Sequence, residues 1–93
     1  MTPQELSEKA RQMVKAGAVL LDVRTREEFV RGHLDGARNI PVQELQQRLA
    51  EVGPPTTSVV VHCHAGQRSR MALQILRVAG FQDVLDIGTM QAY

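Results

Sequence analysis

Residues 62 to 70, His-Cys-His-Ala-Gly-Gln-Arg-Ser-Arg, hold the chain's one cysteine, Cys63, between an apolar run and a helical pattern. A thiol at such a junction meets backbone N–H groups, the positive end of a helix and the guanidinium of Arg68, all of which favour thiolate over thiol. The helix end contributes about 0.3–1 kcal/mol for an anion, and a charge-assisted hydrogen bond from Arg68 about 1.5–3 kcal/mol. At about 1.36 kcal/mol per unit, these lower an ordinary thiol pKa near 8.5 by roughly 1–3 units. Cys63 is then largely anionic at neutral pH, a nucleophile expected at the mouth of the fold. Gly66 supplies the positive φ that a tight ring of inward-pointing N–H groups needs. Ser69 is expected as N-cap and as hydroxyl donor to the sulfur, and Arg68 either holds a substrate's oxygens or braces the loop.

The flanking elements place this loop. Val59-Val60-Val61 is β-branched, follows the breaker Pro54-Pro55-Thr56-Thr57, and reads as a buried central strand over residues 59–62. Met71, Ala72, Ile75, Leu76 and Ala79 recur at helical spacing, predicting a helix over 69–79 that stops at Gly80. A loop from strand end to helix start is where open α/β sheets bind ligands. Upstream, Thr2-Pro3-Gln4-Glu5 is a capping box with Pro at the first helical position, and Leu6, Ala10, Met13 and Val14 form the apolar stripe of a first helix ending near Gly17. Val19 to Val23 reads as a buried strand, and Thr25-Arg26-Glu27-Glu28 opens a short helix that stops at Gly32. A weak strand over 37–40, a helix with Val42, Leu45 and Leu49 on one face to about Glu51, a last strand over 84–87 and the beginning of a closing helix over 89–93 complete the order. Strands alternating with helices argue for an α/β domain with a small, mainly parallel central sheet and helices on both faces, joined by right-handed crossovers.

The string Cys63-His64-Ala65-Gly66-Gln67-Arg68-Ser69 resembles the active-site loop of the rhodanese family, Cys-x-x-Gly-x-Arg followed by Ser or Thr. Leu21-Asp22-Val23-Arg24, Glu28-Phe29, Gly32-His33-Leu34-Asp35-Gly36-Ala37 and Asn39-Ile40-Pro41 resemble that family's other recurring segments, in the same order. The resemblance implies a three-layer rhodanese-like domain over residues 1–93 and a thiosulfate sulfurtransferase. In such an enzyme Cys63 takes a sulfane sulfur from a small anionic donor as a persulfide, and cyanide, a thiol or a dithiol protein accepts it. His64, Ala65, Gly66, Gln67, Arg68 and Ser69 then form the substrate-binding loop. Cysteine-dependent phosphatases and arsenate reductases with a similar loop carry five residues between Cys and Arg, whereas Cys63 and Arg68 are separated by four. The shorter ring, reduced by about 3.3–3.6 Å of contour and one N–H, suits a single sulfur better than a tetrahedral oxyanion. A persulfide carrier supplied by a partner and a non-catalytic rhodanese-like binding module are the remaining alternatives.

Composition sets the outer bounds. A chain of 93 residues, 43% hydrophobic and 23% charged, suits one globular domain with a modest core. A net charge of +1 gives no electrostatic case for nucleic acid or an anionic membrane. No apolar stretch reaches the roughly 20 residues of a membrane span, and the first residues lack a signal-peptide pattern. A lone cysteine forms no internal disulfide or CxxC pair, so a cytoplasmic setting is expected and any persulfide must be discharged by an external acceptor. His62 and His64 beside Cys63 are too close in sequence to converge on one metal ion, and neither metal nor cofactor is expected. His62 is expected as a satisfied residue at the strand end and His33 as a hydrogen-bonded core histidine. Asp22 and Arg24 are expected as a structural ion pair near the sheet edge or as residues lining the pocket, and Glu27, Glu28 and Arg70 as solvated faces.

Overall fold

The computed structural model describes residues 1–93 and contains a four-stranded, wholly parallel sheet in the order β2-β1-β3-β4. The strands are β1 (Val19–Asp22), β2 (Arg38–Asn39), β3 (Val59–Cys63) and β4 (Val84–Thr89), and the helices are α1 (Pro3–Lys15), α2 (Arg26–Arg31), α3 (Val42–Leu45), α4 (Leu49–Val52) and α5 (Gln67–Val78). A 3-10 turn over Gln46–Arg48 joins α3 to α4 where the sequence pattern predicts one helix, and another over Met90–Ala92 closes the chain. No helix is long and apolar enough to cross a membrane.

Strand pleating sorts the apolar residues into two layers. Leu21, Val59, Val61 and Cys63 face Val42, Leu45, Val52, Ala72, Leu76 and Phe81, whereas Leu20, Val60 and Ile87 pack with Ala10 beneath α1. The buried strand pattern of β3, with all five residues covered, follows from helices on both sides of a parallel sheet. Both capping boxes form as their spacing predicts: the side chains of Thr2 and Thr25 accept from the N–H of Glu5 and Glu28, whose carboxylates accept from the capping backbone. At the other end Tyr93 closes onto α1, its carbonyl accepting from Ser7 Oγ at 2.9 Å and Arg11 Nε at 3.0 Å, with the Arg11 guanidinium 4.6 Å from its ring.

Strand order opens a crevice at one point of the sheet. From β1 the chain turns through α2 to β2 on one side, and from β3 it turns through α5 to β4 on the other. The neighbouring C-terminal ends of β1 and β3 are therefore a topological switch point, the place where α/β sheets bind ligands.

Candidate active site

The cysteine loop lies at that switch point. β3 ends at Cys63, the chain bends through His64 and Ala65, and Gly66 starts α5 in the left-handed conformation, at φ 99° and ψ −13°. The helix starts two residues earlier than its apolar pattern suggests. Ser69 is therefore not the N-cap but the third helical residue, its hydroxyl donating to the Gly66 carbonyl at 3.2 Å. The early start turns the first amides of α5 back toward the sulfur, and Gly66 N–H donates to Cys63 Sγ at 3.0 Å. Burial pushes the thiol up, but the Ser69 amide and hydroxyl, the Gly66 amide and the Arg68 amide outweigh it, and the Cys63 pKa lies below its ordinary value. The cysteine is deeper than expected. It is 1% exposed and sits beneath the loop rather than at its mouth, while His64, Ala65 and Gln67 form an exposed rim.

Gly66 is seated against β4. Its Cα side approaches Gly88, such that a Cβ on Gly66 would lie 3.8 Å from the Gly88 Cα. A register shift in β4 brings Gly88 opposite His62, and Asp86 Oδ1 accepts from the Gly88 N–H at 2.9 Å.

Arg68 does not point a free guanidinium at the pocket. Its Nη1 and Nη2 donate to Glu28 Oε1 and Oε2 at 2.6 and 3.0 Å, a two-pronged pair across the switch point. Glu28 is thus not a solvated face. Its Oε1 also accepts from the Thr25 amide and hydroxyl, each at 3.1 Å, and the Arg68 pair foremost holds its carboxyl at about 2. One residue caps α2 and braces the loop before α5. The signal was available: Glu28 and Arg68 lie in the first turns of the helices that follow two adjacent strands.

Asp22 and Arg24 form the expected ion pair, but in the sheet interior rather than near its edge, because β1 lies between β2 and β3. Asp22 is fully buried and accepts from Arg24 Nε at 3.0 and 3.1 Å, from Nη2 at 2.7 Å and from the Arg24 amide at 3.0 Å. Arg24 Nη2 also donates to the Gly32 carbonyl at 2.8 Å, and Asn39 Nδ2 ties the chain after β1 by donating to the Asp22 and Arg24 carbonyls at 3.1 and 2.9 Å. This pair fixes the backbone beside the loop and does not line an open pocket. The two other histidines differ from expectation. His62 is buried but unsatisfied: its Nε2 has no partner, its Nδ1 lies 3.4 Å from the Cys63 carbonyl, and burial holds its pKa below the usual value. His33 is exposed rather than core, stacked on Phe29 at 3.7 Å and bonded through Nδ1 to the Phe29 carbonyl at 2.8 Å.

A surface groove of about 530 Å³ lies elsewhere, lined by Gln46, Leu49, Gln74, Ile75, Val78 and Ala79, and includes no residue of the cysteine loop. It has the volume of a ligand site without polar groups that converge, and the chemistry belongs to the loop.

The profile of the rhodanese-like domain matches residues 5–89. The chain belongs to the rhodanese-like family. It is 36% identical over 72 residues to the thiosulfate sulfurtransferase PspE of Escherichia coli, covering 76% of this chain and 69% of that protein. It is 34% identical over 68 residues to the putative sulfur carrier protein YrkF of Bacillus subtilis, covering 73% of this chain and 36% of that one. The human single-domain sulfurtransferase TSTD1 superposes with a TM-score of 0.78 at 30% identity, over 91% of this chain and 88% of the other. The parallel sheet with helices on both faces is thus the rhodanese fold, as the resemblance of the sequence motifs implies.

Proposed function

We propose that this chain is a sulfurtransferase of one rhodanese domain that carries a sulfane sulfur as a persulfide on Cys63. The observation that supports it most is the collar of Gly66, Arg68 and Ser69 donors around one sulfur, which lowers the thiol pKa despite burial. In the first half-reaction the thiolate attacks the outer sulfur of thiosulfate or a similar donor. A Sγ–S bond forms, the donor's S–S bond breaks, and sulfite leaves with the electron pair. In the second, cyanide, a thiol or a dithiol protein attacks the terminal sulfur and returns the Cys63 thiolate. Charge sits on sulfur throughout, so preorganised amides serve both halves without a general base or a metal. The rim residues His64, Ala65 and Gln67 face the incoming donor and acceptor, and Asp22 with Arg24 supports the loop.

The depth of Cys63 favours one second reading. A cysteine residue 1% exposed suits delivery from a docked partner, as in a carrier, better than free diffusion of a small donor. Intact mass measurement separates the two. Incubation with thiosulfate gives a gain of one sulfur atom, lost on cyanide and absent in Cys63→Ser, for the enzyme. A gain only from a persulfide-bearing partner identifies the carrier. A thiol inert to all donors and to iodoacetamide overturns both.

A further inference from the structure

Helix α5 turns toward water a face that the cysteine chemistry does not use. Gln67, Met71, Gln74 and Val78 are exposed and spaced by four, three and four residues, so they form one line from the rim of the Cys63 loop to the far end of the helix, about 16 Å away. Met71 at 56% and Val78 at 88% are apolar side chains open to water. Along one side this line borders the groove of about 530 Å³, lined by Leu49 of α4 and Ile75 of α5 among others. Along its other side helical periodicity places Arg70 and Arg77, both exposed and about 10 Å apart. The ion pairs of the chain engage Arg24, Arg48 and Arg68, which leaves Arg70 and Arg77 without a carboxylate on a helix that has no acidic residue. Across the groove, Glu44 and Glu51 are both tied to Arg48. The result is an apolar trough between two helices with a basic margin, and it ends at the loop that holds the sulfur.

We propose that this face docks an acidic amphipathic helix of the protein that accepts sulfur from Cys63. The acceptor role rests on the sulfurtransferase reading, whereas the docking stands apart from it. A trough between two helices is filled by a third, whose apolar positions at i, i+4 and i+7 repeat the spacing of Met71, Ile75 and Val78 and whose acidic flank meets Arg70 and Arg77. The charge match steers encounter and fixes orientation, while the apolar anchors hold the complex. Because the line ends at Gln67, beside the exposed His64 and Ala65, a thiol at the end of the docked helix lies over the loop. A persulfide gives the covered Cys63 about 2 Å of added reach. The acceptor thiolate attacks the outer sulfur of Sγ–SH and a new S–S bond forms. The Sγ–S bond breaks, its electron pair returns to Cys63, and the proton stays on the transferred sulfur. No oxidant or reductant enters. Cyanide, a small acceptor, reaches the same sulfur without the trough.

The probe is a synthetic helical peptide of about four turns with leucines at i, i+4 and i+7, glutamates on its flanks and one terminal cysteine, compared with a twin that carries lysines for the glutamates. Fluorescence anisotropy of the labelled glutamate peptide shows binding to the native protein that weakens about tenfold in Arg77→Glu and in Val78→Ser, two exposed positions at the far end of α5, and the lysine twin does not bind. With Cys63 preloaded from thiosulfate, intact mass follows the sulfur onto the peptide. Its kcat/KM falls about tenfold through KM in both variants, while discharge by cyanide keeps the native rate. Equal binding of the two peptides, native affinity in both variants, or a cyanide rate that falls with the peptide rate overturns the proposal. A native dimer that Val78→Ser dissociates shows that a second copy of this chain covers the face, and overturns it as well. If thiosulfate never loads Cys63, the sulfurtransferase reading loses its free-standing form, and the anisotropy measurement still decides whether the trough takes an acidic helix.

Discussion

Gly66→Ala separates the two roles the structure gives this residue. A Cβ there meets the Gly88 Cα at 3.8 Å, an ordinary van der Waals contact, so the substitution costs nothing in space. It costs backbone strain, because φ is 99°, and a side chain in the left-handed region is about 1–2 kcal/mol worse. For a domain of this size that lowers Tm by about 4–8 °C per kcal/mol. The loop can escape the strain by rotating the Gly66 N–H away from Sγ, where it now donates at 3.0 Å. That bond is worth about 1.5–3 kcal/mol to a thiolate and far less to a thiol, so the variant keeps the strained loop when ionised and relaxes it when protonated. The strain then falls on the thiolate alone, and at about 1.36 kcal/mol per unit the Cys63 pKa rises by roughly one unit. Thiolate absorbance against pH, with the pH dependence of iodoacetamide alkylation as a check, measures the rise. Gly88→Ala is the control. Its φ is 78° and its Cβ lies 3.9 Å from the Gly66 Cα, but its amide bonds Asp86 rather than sulfur, so Tm falls similarly while the thiol titrates as in the native protein. A Gly66→Ala protein that loses stability yet keeps the native thiol pKa would refute the claim that this amide holds the charge.

Asp22→Asn leaves the Arg24 guanidinium buried without its counter-ion and costs about 3–5 kcal/mol, read as a lower urea midpoint at unchanged slope. Replacing both residues by apolar ones of similar volume costs less than the single change. His62 gives a pH dependence of definite sign: burial lowers its folded pKa below the unfolded value of about 6.5, so its contribution to stability is whole above that value. As pH falls through about 6.5 toward the lower folded pKa, the unfolded chain binds the proton first and stability declines; His62→Leu removes that part of the slope in chemical denaturation between about pH 8 and 5.

What could be read from the sequence, and what could not, divides by range. The capping boxes at Thr2 and Thr25, the buried β3 run and the sulfur loop were legible because each is a pattern within a few residues, governed by backbone geometry. The apolar stripe of α5 located the helix but not its first turn, since Gly66 in the left-handed region lets the helix begin before the stripe does and moves Ser69 from cap to third position. The depth of Cys63 and the orphaned Nε2 of His62 depend on what covers both faces of β3, which no local spacing encodes. The Glu28–Arg68 pair spans forty positions and yet follows from topology. Once β1 and β3 are neighbours in a parallel sheet, the first turns of α2 and α5 must lie side by side at the switch point, and an acidic first turn beside a basic one will pair. Helix polarity puts the amides of α5 on the sulfur, and strand order puts a carboxylate on the arginine. The charge seen by an incoming donor is therefore set jointly by the loop around Cys63 and by the neighbouring crossover.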